Sequence, residues 1–378
     1  MRWVVAVALV ASIAGQAWAD TESDMRDCAL SSGTGSSGDG QLLACTRLIK
    51  GRQLRPRNLA QAYYNRGVVY AQIRQYTKAI ADYTQTIRLY PDGAIAYYSR
   101  GVARHHLKQY VKAVADYNDA IRLDPKGPLP YYGRGLSHSQ LNQYMRAISA
   151  FDKAIELNPG DPPVYYSRGL AHAVMNNRRQ AINDYTHTLR LNPSYAPAYY
   201  SRGLIHAKQA DYTKAIADYT KAIGLDPKDA DTYDARGIAL YRLRNYHKAL
   251  ADYNKAIALD RSSAGKYNHR GIAYQRLKQH NKAIQDFSRA LGKKPNFASH
   301  YNRGNAYFDL KQYRKAATDY GAAIRLEPKR YRPYSNRGYA YELLRRRADA
   351  IRDFRKVLQL KPNHLAAMQA LKRLKAKR

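Results

Sequence analysis

From residue 60 onward the apolar positions come in short blocks at helical spacing, each closed by a polar break. In the block that begins at Tyr76, residues Ala79, Ile80, Tyr83 and Ile87 fall on one stripe of a 3.6-residue helix. The polar pairs Arg74-Gln75, Lys108-Gln109 and Asn142-Gln143 stand between neighbouring blocks. Asp124-Pro125, Asn158-Pro159, Asn192-Pro193 and Asp226-Pro227 end every second block, because the residue before proline is driven out of the helical region. The pattern predicts helix–turn–helix hairpins and an all-α fold.

The blocks repeat. Glycines at 67, 101, 135, 169, 203, 237, 271, 304 and 338 are 34 residues apart, except for one step of 33 between Gly271 and Gly304. An alanine follows each glycine by 12 residues and an aromatic by 16, as in Gly67, Ala79 and Tyr83. A proline follows by 24 in every unit but one, where Arg261 stands instead. Nine units result, at about 60–93, 94–127, 128–161, 162–195, 196–229, 230–263, 264–296, 297–330 and 331–362. Folding a unit back on its inner turn sets the glycine against the later aromatic, so that the ring fills the space a side chain would take. The same register pairs the arginine before each glycine with the aspartate before each aromatic: Arg66 with Asp82, Arg100 with Asp116, Arg168 with Asp184, Arg202 with Asp218. Ala150 breaks that series opposite Arg134. These pairs read as structural ties, since an arginine fork matches a carboxylate. The first tyrosine of segments such as Tyr97-Tyr98-Ser99-Arg100-Gly101 is expected to pack between the two helices of its hairpin.

With this register the chain resembles a tetratricopeptide repeat protein across residues 60–362. The resemblance implies a right-handed superhelical solenoid of stacked hairpins that binds a partner protein or peptide in a concave groove lined by the first helices. Arginine before the glycine departs from the family, which usually has leucine there. The second tyrosine of the repeated segment is left over from the scaffold: Tyr64, Tyr98, Tyr132, Tyr166, Tyr200 and, after a gap, Tyr301. It shares a face with Val68, Val102, Leu136, Leu170 and Leu204 four residues later. That ribbon is either a partner-binding surface or packing between units, and both readings stand at this point. Asp234 and Asn268 interrupt it. The lysine and asparagine clamp by which this family grips carboxylate-ended peptides is not matched on this face.

The ends add compartment and caps. Arg2, the apolar run from Val4 to Gly15 and Ala17-Trp18-Ala19 have the layout of a signal peptide, 1–19, cleaved after Ala19. Export implies a periplasmic or secreted protein, in which Cys28 and Cys45 form a disulfide inside a degenerate N-terminal cap, 20–59. A basic capping helix, 363–378, carries Leu365, Met368, Leu371 and Leu374 on one stripe. Between 260 and 303 the repeat weakens, and a local change in the superhelix is expected there.

The net charge of +35 and the lysines recurring eleven residues after the glycine, Lys78, Lys112, Lys214, Lys248, Lys282 and Lys315, raise a second reading. In it the protein binds an anionic polymer of the cell envelope, a glycan or lipid headgroups. A third and weaker reading is an accessory subunit of an envelope or secretion assembly. Export argues against nucleic acid as the natural partner. Gly33, Gly35 and Gly38 match a dinucleotide fingerprint letter for letter, but in a Gly/Ser-rich loop rather than between a strand and a helix. His138, His172 and His206 sit one per unit, too far apart for one zinc if units stack regularly, and replace the tyrosine seen at Tyr70. No catalytic set, metal site or cofactor is expected, and the chain reads as an adaptor rather than an enzyme.

Overall fold

The computed structural model describes residues 22–29, 38–51 and 54–376. The signal segment and most of the glycine-rich stretch lie outside the described residues. Among these residues there are helices and turns and no strand. They group into two compact units, one ending at Pro193 and the other beginning at Ser194.

The first unit opens with α1 (22–29) and α2 (Gly38–Lys50). Four hairpins follow: α3 (Pro56–Gln72) with α4 (Tyr76–Leu89), α5 (Ala94–His106) with α6 (Tyr110–Leu123), α7 (Pro128–Gln140) with α8 (Tyr144–Leu157), and α9 (Pro162–Val174) with α10 (Arg178–Leu191). The second unit pairs α11 (Ala196–Lys208) with α12 (Tyr212–Leu225), α13 (Ala230–Arg242) with α14 (Tyr246–Leu259), α15 (Ala264–Arg276) with α16 (His280–Lys293), α17 (Phe297–Asp309) with α18 (Tyr313–Leu326), and α19 (Tyr331–Leu343) with α20 (Arg347–Leu360). It closes on α21 (Leu365–Ala376). Within each unit a first helix packs on its own second helix, and that second helix packs on the next first helix. Neighbouring first helices also touch, as α3 with α5 and α13 with α15.

Each inner turn holds one residue in the left-handed region, from Asn142 at φ 58° to Asn176 at φ 62°. At the first, Arg74 N–H donates to Ala71 O (3.0 Å) and Gln75 N–H to Tyr70 O (2.7 Å), the Schellman pattern that satisfies the last carbonyls of a helix. The two helices then approach closely. A Cβ on Gly135 would lie 2.4 Å from Phe151 Cε1, and one on Gly67 2.8 Å from Tyr83 Cε1, so only glycine admits the ring.

The arginine before the glycine ties hairpins as well as helices. Arg66 Nε and Nη2 each donate to Asp82 at 2.8 Å, and its Nη1 reaches Thr46 in α2 at 3.3 Å. The next arginines repeat this onto the preceding hairpin: Arg100 Nη1 on Thr84 (3.2 Å), Arg134 on Asn118 (3.0 Å), Arg168 on Asp152 (2.7 Å). In the second unit Arg236 reaches Thr220 (3.1 Å), Arg270 reaches Asn254 (2.8 Å) and Arg303 reaches Ser288 (2.9 Å). Opposite Ala150, Arg134 keeps only Asn118 and the Tyr131 ring, 5.2 Å away, and burial pushes its guanidinium pKa down. Asp116, 1% exposed, takes both Arg100 (2.8 Å) and Arg104 (2.7 Å), yet burial still holds its carboxyl above the usual range.

Three details differ from the sequence expectation. The first tyrosine contacts the connection that leads into its hairpin as well as the hairpin itself: Tyr131 and Tyr165 donate to the carbonyls of Pro125 and Pro159 at 3.3 Å, while Tyr165 stacks on His187 of its own second helix. On α21 the buried stripe is Ala367, Ala370 and Leu374, and Leu365 is 71% exposed, because small residues let this helix sit close on α20. Between 260 and 303 the helices continue in register, and the missing residue comes out of the 294–296 connection, three long where 124–127 is four. There a buried lysine, Lys266, bridges Asp231 (2.7 Å) and Asp260 (2.9 Å).

Candidate functional site

Where it is present, the second tyrosine projects from the middle of a first helix, three residues before the glycine that fixes the hairpin. In the first unit Tyr64, Tyr98, Tyr132 and Tyr166 lie against Tyr83, Tyr117, Phe151 and Tyr185, with ring centres 5.7–6.0 Å apart and planes tilted by 44–47°. One ring face is thus committed to the hairpin core. The hydroxyl points onward: Tyr64 Oη lies 3.3 Å from Ser99 Oγ and Tyr132 Oη 3.3 Å from Ser167 Oγ, both in the next hairpin. Burial pushes the phenols of Tyr98 and Tyr132 up, so they stay neutral donors. All four tyrosines remain half-buried.

Aliphatic side chains flank them. Val68, Val102 and Leu136 are half-buried, Leu170 is 41% exposed, and Val174, one turn further along α9, is 62% exposed. Between α7 and α9 these residues line a cavity of about 320 Å³, walled by Leu136, Leu170 and Val174 and edged by Ser139, Gln140 and Ser167. Apolar walls with a few polar groups at the rim suit an apolar side chain whose backbone needs hydrogen-bond partners.

The second unit carries a different face. Tyr200 and Tyr301 keep the tilted contact, on Tyr219 and Tyr320 at 6.0 Å. Asn336 donates to Tyr301 Oη at 3.2 Å. Between them His269 Nδ1 lies 2.9 Å from Asp234, and Asn302 donates to Asn268 at 3.2 Å. The face is polar there, and a cavity of about 360 Å³ is lined by Gln275, Asn302, Asn305 and Asp309 with Ile272.

Several of the remaining sequence candidates have local partners, while His172 Nδ1 is buried without one. Cys28 and Cys45 are bonded and buried, joining α1 to α2, with Gln41 Nε2 donating to Cys28 O at 3.0 Å. His138 Nδ1 lies 2.8 Å from Gln143 Oε1, and burial pushes the pKa of His138, His172 and His206 down. Lys78, Lys282 and Lys315 rest over the rings of Tyr70, Tyr274 and Tyr307 at 5.3–5.6 Å. Among the described residues no group of histidine, cysteine and acidic side chains has the arrangement to hold a metal ion, and no helix is long and apolar enough to cross a membrane. The inter-hairpin acceptor, one residue after the aromatic, escaped the sequence reading. Its signal was a column with a side-chain oxygen at Thr46, Thr84, Asn118, Asp152, Thr220, Asn254 and Ser288.

Comparison with known proteins agrees with this geometry. Tetratricopeptide repeat family patterns match residues 64–128, 128–161, 196–229, 230–263, 265–297, 298–330 and 331–364. No curated protein matches the chain in sequence. Among solved structures, the C-terminal part of a TPR repeat-containing protein from Cytophaga hutchinsonii is 21% identical with a TM-score of 0.54, covering 64% of this chain and 99% of its own. The APC/C hetero-tetramer Cut9-Hcn1 is 18% identical with a TM-score of 0.50, covering 89% of this chain and 83% of the other. Both likenesses concern the fold. With the repeat pattern matched over most of its length and paired helices throughout the described hairpins, the chain belongs to the tetratricopeptide repeat family.

Proposed function

We propose that the protein is an exported, non-catalytic adaptor that holds a segment of a partner protein on the first-helix face of residues 56–174. The observation that carries this reading is the exposed pair Leu170 and Val174 beside the tyrosine row, where an apolar cavity is rimmed by serine and glutamine. Apolar side chains one helical turn apart, next to half-open tyrosines, offer contact area with little ordering cost. The disulfide between Cys28 and Cys45 supports an oxidising compartment.

The test uses peptides selected from a random library against the full chain. Leu170→Glu with Val174→Glu changes exposed positions only, and Tyr132→Ala with Tyr166→Ala removes two rings of the row. Fluorescence anisotropy is expected to show both double variants weakening the selected peptides by roughly tenfold or more. The glutamate variant should keep the far-ultraviolet circular dichroism of the parent. Peptides that bind the glutamate variant as tightly as the parent would overturn the reading.

A further inference from the structure

The arginine tie fails at one hairpin. Arg337 keeps its own carboxylate, with Nε and Nη2 each 2.8 Å from Asp353. The position that gives the Nη1 group of earlier arginines its acceptor is here Gly321, which has no side chain. A Cβ at Gly321 would lie 3.3 Å from Arg337 Nη1 and 3.9 Å from Arg325 Nη1, so both guanidiniums converge on the space the missing side chain leaves. That space is a cavity of about 500 Å³ lined by Arg314, Arg325, Arg337 and Arg346, with Thr318 at its edge and no carboxylate. Arg346 is held in place by Asp349 (2.8 Å) and by the Tyr341 ring, 4.5 Å away.

Arg337 and Arg346 each keep a carboxylate partner, Arg314 and Arg325 add their charge to the same partly enclosed space, and arginine forks fit the oxygens of a tetrahedral anion. Glycine in the interior of α18 weakens the helix, and its missing side chain lets the Arg337 guanidinium come close. We propose that this cavity binds a phosphate-type oxyanion, either the free ion or a phosphate ester group, with one anion oxygen accepting from Arg337 Nη1 where threonine, asparagine or serine accepts in other hairpins. This site is separate from the partner-binding face and does not rest on it.

Titration calorimetry of the full chain with inorganic phosphate in chloride buffer tests it. One phosphate per chain is expected, and two substitutions should each weaken it roughly tenfold or more. Gly321→Thr restores the internal acceptor at a position where the neighbouring atoms are the ends of flexible side chains. Arg325→Gln removes one fork. Lys248→Gln, an equal loss of charge elsewhere, should leave affinity within about twofold. A second arm measures flotation with phosphatidylcholine vesicles carrying phosphatidic acid. Flotation lost in Gly321→Thr assigns the bound group to a lipid headgroup, whereas phosphate affinity lost with flotation unchanged assigns it to a soluble ligand. Absence of binding in both arms, or binding that neither cavity substitution alters, overturns the site.

Discussion

At the scale of single residues, the arginine–aspartate pair separates what holds a structure from what stabilises it. Asp116 is nearly inaccessible, and burial pushes its carboxyl up in spite of two arginines, so the ion pair itself contributes little net stability. Removing one partner is another matter. Asp116→Ala leaves Arg100 and Arg104 half-buried without a carboxylate, and should cost about 3–5 kcal/mol. Replacing Arg100, Arg104 and Asp116 together by leucines should cost far less, because no charge is then stranded. Urea denaturation of both variants checks this, and a single variant as stable as the parent would contradict it.

At the scale of the hairpin, legibility depended on whether a contact lies inside one repeat. The glycine–aromatic and arginine–aspartate registers could be read because both partners sit at fixed offsets on either side of one short turn. The reach of Arg100 Nη1 to Thr84 was not, since it crosses to the preceding unit through a column of mixed residue types. For the same reason the second tyrosine stayed ambiguous in sequence: its ring packs within the hairpin and its hydroxyl leaves it. The capping stripe on α21 was misjudged because distance of approach, rather than side-chain size, selected Ala367 and Ala370. The histidines that take the Tyr70 register give the hairpins a pH dependence. Burial lowers the folded pKa of His138, His172 and His206 below the usual value of about 6.5, so the unfolded chain takes up protons first as pH falls. Their contribution is complete above about 6.5 and is lost as pH drops through the lower folded values. The triple variant with tyrosine at these positions should lose less stability between about pH 7 and pH 5 than the parent, as read from urea midpoints. An equal loss in both would rule the histidines out as the source.

At the scale of the whole molecule, stability is distributed along the chain. Within each compact unit the hairpins bury one flank of the second helix against the next first helix, and the ends are closed by the disulfide-joined α1–α2 pair and by α21. Such arrays gain stability through intrinsic terms and nearest-neighbour interfaces, so length itself is a stabilising variable. The most direct measurement is equilibrium denaturation of chains from which one, two or three of the hairpins α13–α14, α15–α16 and α17–α18 have been deleted, with α21 retained. Helical products are expected, with denaturation midpoints that fall step by step with each hairpin removed. Midpoints that do not change with hairpin number, or loss of all helical structure on the first deletion, would contradict it.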